Sequence, residues 1–391
     1  TFPVMVGADG SLVWRTEVGV KRRPPLLPHH APLLLLGSCF STDVGDRLRA
    51  SGHPALSSPL GVLFNPVSIA DTVSRLASGQ PFDFSDLRYC DRQEHYYCFD
   101  AGTLHTHPNA ATCVARLNEA LERGHEQLLR SECLFLTLGS AWTYTHRDTG
   151  RVVANCHRQP QQAFDRALLS PADATSHVRR AIDAARAAKP SLRVVLTVSP
   201  VRHWREGCVE SSRSKATLLV AVHAAIDAEA AARSAVDLEA AQRSASEVAA
   251  SAPAAAAAAA EEAGAAAEAR AVRAAYFESY EIVMDELRDY RWYKRDMLHP
   301  SDAAVDLIFQ RLLATFFDDA DAPLRAQIEQ LRTAALHVPQ HPSSRGARRF
   351  AEAQLATARR LSAAYPHLGL REELTHFEAL LAASRQADGT E

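Results

Sequence analysis

Residues 32–40 read PLLLLGSCF, and the reading of this stretch decides the fold. Four consecutive leucines, 33–36, are apolar toward both sides, which suits a strand buried on both faces. Gly37 closes the run and leaves Ser38 in a strand-to-helix turn. Residues 42–50 then place Val44 and Leu48 four apart, with Ser41 or Thr42 as cap, and this predicts a helix. Two more runs have the same character: Cys133–Leu138 (CLFLTL), ended by Gly139, and 194–198 (VVLTV), ended by Ser199 and Pro200. Helical patterns at 68–76, 111–129 and 171–189 lie between or around them. Apolar strands separated by helices predict an α/β fold with a mostly parallel sheet covered on both faces. In such sheets ligands bind beyond the carboxyl ends of the strands. Ser38, Gly139 and Ser199 all fall there.

Outward from this centre the organisation divides into three. Residues 1–31 form a lead-in with short β-like stretches at 12–14 and 16–20 before a proline-rich approach. The α/β domain spans 32–317 and contains an alanine-rich segment at 228–272, including an unbroken alanine run at 254–260. Alanine favours helix but offers little apolar area to bury. The segment therefore reads as a helical or disordered surface insertion without chemistry. No sustained heptad of large apolar residues marks it as a coiled coil. From 305 onward the pattern is helical, at 305–317, 324–331, 347–363 and 372–383, with a polar linker at 338–345. Residues 318–391 read as a helical extension docked on the α/β core.

The bulk properties exclude several classes. With 391 residues, 47% of them apolar, the chain can bury a substantial core. A net charge of −3 argues against a nucleic-acid partner held by phosphate attraction. No apolar stretch reaches the roughly 18–20 residues of a membrane helix, so no membrane partner is expected. Lys21, Arg22 and Arg23 before the leucines and Gly37-Ser38-Cys39 imitate a lipoprotein signal. The apolar run is too short for one, and Pro24, Pro25, Pro28, His29 and His30 interrupt it. Seven cysteines, odd in number and without a CxxC pair, point to a reducing compartment and hence the cytoplasm.

The chemistry rests on two distant segments. Residues 296–301 read DMLHPS, with Asp296 and His299 close enough for the carboxylate to orient the imidazole. With Ser38 they supply the parts of a charge-stabilised nucleophile. The backbone N–H of Ser38, at the start of a helix, is a candidate oxyanion donor. The plainer readings are a helix-capping serine and an ordinary loop histidine. Cys39 alternates to the other side and is expected to pack into the core. His105 and His107 with Cys90 or Cys98 lack a second metal-like pair, so neither a metal nor another cofactor is expected.

Seven segments, in order, carry a family resemblance: LLLLGSCFSTDVGDRL (33–48), GVLFNPVSIA (61–70), LTLGSAWTY (136–144), VANCHRQP (153–160), LTVSPVRH (196–203), SRSKATLLVAVH (212–223) and the block from Tyr276 to Ser301. The chain resembles GSCFA-domain proteins, a branch of the SGNH/GDSL hydrolase superfamily. The resemblance implies a three-layer α/β/α fold, with Ser38 in the first block and Asp296 and His299 in the last. It also implies an oxyanion hole completed by a glycine and an asparagine. Gly139-Ser140-Ala141-Trp142 stands where the asparagine-bearing block belongs and has none. Asn65 is then the substitute, Gly61 the glycine donor, and Gly139 and His203 further oxyanion or substrate contacts. Tyr276 to Tyr293 should pack on the sheet and deliver Asp296 and His299. His157, Arg202, Ser214 and Lys215 lie in matching segments without an assigned role. The implied activity is ester hydrolysis through an acyl-serine, on a small-molecule ester or an O-acyl carbohydrate. Transfer of the acyl group to a sugar hydroxyl is the alternative, and a non-catalytic binding or scaffold protein on this fold is the third reading.

Overall fold

A computed structural model describes residues 16–248, 274–341 and 344–386. Its centre is a parallel sheet built from β1 (Leu33–Gly37), β2 (Ala55–Ser57), β5 (Cys133–Leu138), β9 (Arg193–Val198) and β10 (Ala274–Phe277), in the order β10-β9-β5-β1-β2. All four pairings are parallel, and β1 pairs β5 from Leu33 opposite Cys133 to Gly37 opposite Thr137. This order reverses direction between β1 and β5, the place where open α/β sheets leave a crevice.

The leucine run shows why the sheet has two covered faces. Leu34 and Leu36 join Leu134, Leu136, Val194 and Leu196 in one core, beneath α2 (Pro66–Ser78), α3 (Ala110–Arg130), α4 (Pro171–Ala188) and α5 (Gly207–Val248). Leu33 and Leu35 join Phe135, Val195 and Phe277 in the other, beneath α1 (Cys39–Ala50) and α6 (Asp302–Phe316). Alternate residues of one strand thus feed opposite cores. Each fully buried leucine contributes about 1.5–3 kcal/mol of transfer free energy. The result is a three-layer α/β/α body.

Helix starts follow the sequence signals. Asn65 caps α2 by accepting from the Ser68 N–H at 2.9 Å, ahead of Pro66 in the first turn. Ser170 and Ser301 cap α4 and α6 in the same way. Helix α1 begins at Cys39, earlier than the expected 42, and its cap position is Ser38, not Ser41 or Thr42. Antiparallel pieces decorate the carboxyl edge: a hairpin of β3 (Leu87–Cys90) and β4 (His95–Cys98), and a small sheet of β6 (Trp142–His146), β7 (Arg151–Val152) and β8 (Phe164–Leu168).

Two expectations for the flanks change. Residues 16–20 form no strand; Val18 is instead tied by its N–H to the Glu286 carboxylate at 3.1 Å. The stretch 12–14 lies outside the described residues. The alanine-rich segment begins as a direct continuation of α5, helical to Val248, while 249–272 lies outside the described residues. Its first residues are anchored, because Glu229 pairs with Arg186 of α4. Beyond α6, helices α7 (Ala322–Leu336), α8 (Arg345–Ala364) and α9 (Arg371–Gln386) enclose their own core of Ile328, Leu355, Leu361 and Phe377. His29 joins this unit to the α/β body: its N–H donates to Asp321 at 2.8 Å and its ring meets His367 at 3.0 Å.

Candidate active site

The turn after β1 is dictated by Gly37. Its φ is +135°, and a side chain there would put Cβ 2.1 Å from the Thr137 carbonyl oxygen. Only glycine lets β1 run this close to β5 while turning sharply into α1. Ser38, the next residue, is wholly buried, and its Oγ has no hydrogen-bond partner among the described residues. It makes no capping bond to α1 either. The plainer reading, a serine spent on a helix cap, therefore does not describe this hydroxyl. Buried polar atoms are ordinarily paired, and an orphan beside a cavity is a sign of function.

Ser38 stands on a floor made by Gly139. A Cβ at Gly139 would lie 3.0 Å from the Phe64 ring, 3.2 Å from Ser38 Cβ and 3.4 Å from His203 Nε2. Three side chains thus converge over one glycine. His203 packs edge-on against Phe64, with ring centroids 4.9 Å apart, and its Nε2 is also buried without a partner. Burial, with Lys215 and His299 nearby, pushes the His203 imidazole down to about 4, so it is neutral at pH 7.

The other half of the site arrives on the loop between β10 and α6. Asp296 accepts at Oδ1 from the N–H groups of Leu298 (2.9 Å) and His299 (3.0 Å), and its Oδ2 meets His299 Nδ1 at 2.6 Å. The backbone donors, foremost that of His299, hold the carboxyl down to about 2. An ionised Asp296 makes Nδ1 the protonated nitrogen and leaves Nε2 free to accept a proton. The stretch from Tyr276 onward does deliver this pair: Tyr276 and Phe277 lie in β10, and the Lys294 N–H donates to the His299 carbonyl at 2.7 Å. His299 does not reach the Ser38 hydroxyl with a hydrogen bond; it lines a crevice that Cys39, the neighbour of Ser38, also lines.

That crevice is a cavity of about 950 Å³ lined by Cys39, Gly61, Asn65, His203 and His299, with Phe64, Trp142 and Tyr144 as aromatic walls. Cys39 is half-buried: it packs against the core beneath α1, as expected, and also lines this cavity. Burial, reinforced by Asp43, pushes its thiol up. A thiol kept protonated is a poor nucleophile.

The expected oxyanion donors are corrected by the backbone. The Ser38 N–H donates to the Thr137 carbonyl at 3.0 Å, because the β1–β5 ladder extends one residue past the strand. Gly139 donates to Phe64 and Gly61 to Ser58, both at 2.8 Å. None of the three N–H groups is open. Asn65 differs. With Oδ1 held by Ser68, its Nδ2 has no partner among the described residues, and the residue lines the cavity. The Cys39 N–H, first of the helix's unpaired donors, has no backbone partner.

Two residues without an expected role turn out to lock the floor. Lys215, buried on α5, donates from Nζ to the carbonyls of Gly139 and Ser199, each at 2.6 Å. Ser214 Oγ accepts from the Ala141 N–H at 2.7 Å. One turn of α5 thereby clamps the ends of β5 and β9. His157 is likewise structural, its Nε2 lying 2.8 Å from the Cys98 carbonyl and 2.9 Å from that of Ala101. Among the described residues no group of three or more His, Cys, Asp or Glu side chains is placed to hold a metal ion. Nor is any helix there long and apolar enough to cross a membrane.

The GSCFA family model matches residues 32–233 and 251–312, which covers more than half of the chain and every residue of the site. The chain belongs to the GSCFA family. The break in the GSCFA match, 234–250, falls inside the alanine-rich segment. A second model, the GSCFA domain protein C-terminal domain, matches 328–383, the helices α7 to α9 with their separate core. No curated protein and no solved structure matches the chain.

Proposed function

We propose that this GSCFA protein is a serine esterase of the SGNH type that acts through an acyl-serine intermediate. The observation that carries the proposal is the buried Ser38 Oγ, unpartnered among the described residues, at the carboxyl end of a central strand and next to Cys39, which lines a cavity together with His299. In this reading Ser38 Oγ attacks the ester carbonyl carbon. Its proton passes to His299 Nε2, while Asp296 fixes the ring and stabilises the imidazolium. Charge on the carbonyl oxygen meets Asn65 Nδ2, the Cys39 N–H and the neutral His203 imidazole. Such donors act strongly because they are fixed in a partly dry site. Collapse of the tetrahedral adduct expels the alcohol, which takes the proton from His299. Water, activated by the same imidazole, then releases the acid and restores Ser38.

The large cavity and aromatic walls support an acylated carbohydrate as substrate, since flat rings offer stacking surface to sugar faces. Turnover of an aryl acetate by the wild-type chain and by Ser38→Ala tests the reading. The variant should fold normally and lose at least about a thousandfold in kcat. Wild-type turnover by the folded variant would end it.

A further inference from the structure

The cavity lined by Cys39 and His299 is charged in one direction only. Arg158, Arg202 and Arg205 line it together with His157, His203 and His299, and among the described residues no Asp or Glu lines it. This is unusual for a chain with 46 acidic against 43 basic residues. It is also unlike four other cavities, whose linings include an Asp or Glu. In the adjoining cavity of about 390 Å³, Arg75 lies 3.5 Å from Asp86, and Arg151 lies 3.0 Å from Asp100. Arg47 and Arg180 are paired in the same way, with Asp306 and Asp71.

The three cavity arginines have no such partners among the described residues. Arg202 makes one contact, from Nη2 to the Met284 sulfur at 3.6 Å, a weak acceptor for a guanidinium. Arg205 lies over the Tyr144 ring at 5.5 Å and forms no ion pair. Arg158 forms none either, and its backbone stands at a φ of +55°, a conformation that a non-glycine residue rarely adopts. Arg202 and Arg205 flank His203 on the loop after β9, while Arg158 comes from the loop between β7 and β8. Two loops therefore present guanidinium groups to one crevice from different elements. A guanidinium is matched by the paired oxygens of a carboxylate or a phosphate.

We infer that the substrate is anionic: an ester, on a sugar or sugar-like frame, that carries a carboxylate or phosphate bound by Arg202 and Arg205 with Arg158 opposite. This rests on the reading of the cavity as the substrate site of Ser38 and narrows its substrate class. The aromatic walls take the uncharged ring, and the arginines select the charge. Attraction between exposed charges falls with added salt, so affinity should fall too.

Calorimetric binding with the full chain tests this without turnover. Methyl glucuronate, glucose 6-phosphate and uncharged methyl glucoside are compared at low and high salt. At least one anion should bind about tenfold or more tightly than the glucoside, with the advantage shrinking in salt. The winning anion distinguishes a uronate from a sugar phosphate. The double variant Arg202→Gln, Arg205→Gln should lose that advantage. The control Arg147→Gln, which removes a surface pair with Asp165, should keep it. Equal affinity for all three ligands, no measurable binding of either anion, or full anion preference in the double variant overturns the inference. Loss of the esterase reading alone would look different: anion preference retained, with Ser38→Ala as active as wild type.

Discussion

The two halves of the site are built in opposite ways. Ser38 is wholly buried on the central sheet, held between the β1–β5 ladder, the Gly139 floor and the Lys215 clamp. Asp296 and His299 ride a surface loop, with their side chains 46% and 38% exposed, and are held to each other more than to the body. The proposed nucleophile is thus held in place by the core, whereas the proposed base depends on one carboxylate that organises its own loop. Damage to the scaffold that holds Ser38 should appear in folding, and damage to the loop pair in kinetics.

The largest separable effect is expected at the loop. His299→Ala should lower kcat on an aryl ester by roughly 10³-fold or more, and Asp296→Asn by no more than that, because the two act as a unit. Melting temperature should hardly move, since neither side chain is packed in a core. Wild-type rates in His299→Ala, alongside an inactive His203→Ala, would exchange the roles of the two histidines. On the sheet side the balance reverses. Lys215→Met leaves two buried carbonyls without their cation and should cost on the order of 3 kcal/mol of stability. Equilibrium denaturation measures it, and an unchanged midpoint would deny the clamp.

The smallest effect lies at the junction with the C-terminal helices. Burial, helped by His29 and Arg325, pushes the His53 imidazole down to about 2. In the unfolded chain it takes a proton near pH 6.5. Unfolding therefore binds a proton once the pH falls below about 6.5, and the stability present above that value declines toward pH 2. Melting temperature should fall from pH 7 to pH 4, with a shallower slope in His53→Leu. Equal slopes would place the acid sensitivity elsewhere.

Much of this was legible in the sequence, for a physical reason. Strands buried on both faces must be continuously apolar, so β1, β5 and β9 announce themselves, as do helices with spaced leucines. The edge strand β2 is three residues long, and β10 follows the alanine-rich segment, so neither gives a pattern. The antiparallel pieces at 87–98 and 142–168 are too polar and short to stand out. Ser38, Asp296 and His299 were legible as types in a pattern; the structure pairs Asp296 with His299 and sets His299 in the crevice that Cys39, next to the buried Ser38, also lines. The oxyanion donors were not, because whether an N–H is free depends on partners distant in sequence. Ser38 loses its N–H to Thr137, and Lys215 finds Gly139 seventy-six residues away.

The central claim is that Ser38 is a nucleophile activated by His299. It is tested most directly by treating the folded chain with a fluorophosphonate and mapping the adduct by peptide mass spectrometry. A single phosphonyl group on Ser38, absent in Ser38→Ala and formed far more slowly in His299→Ala, is the predicted result. No adduct on the wild-type chain, or an adduct on Cys39 or any other residue with Ser38 unmodified, would contradict it.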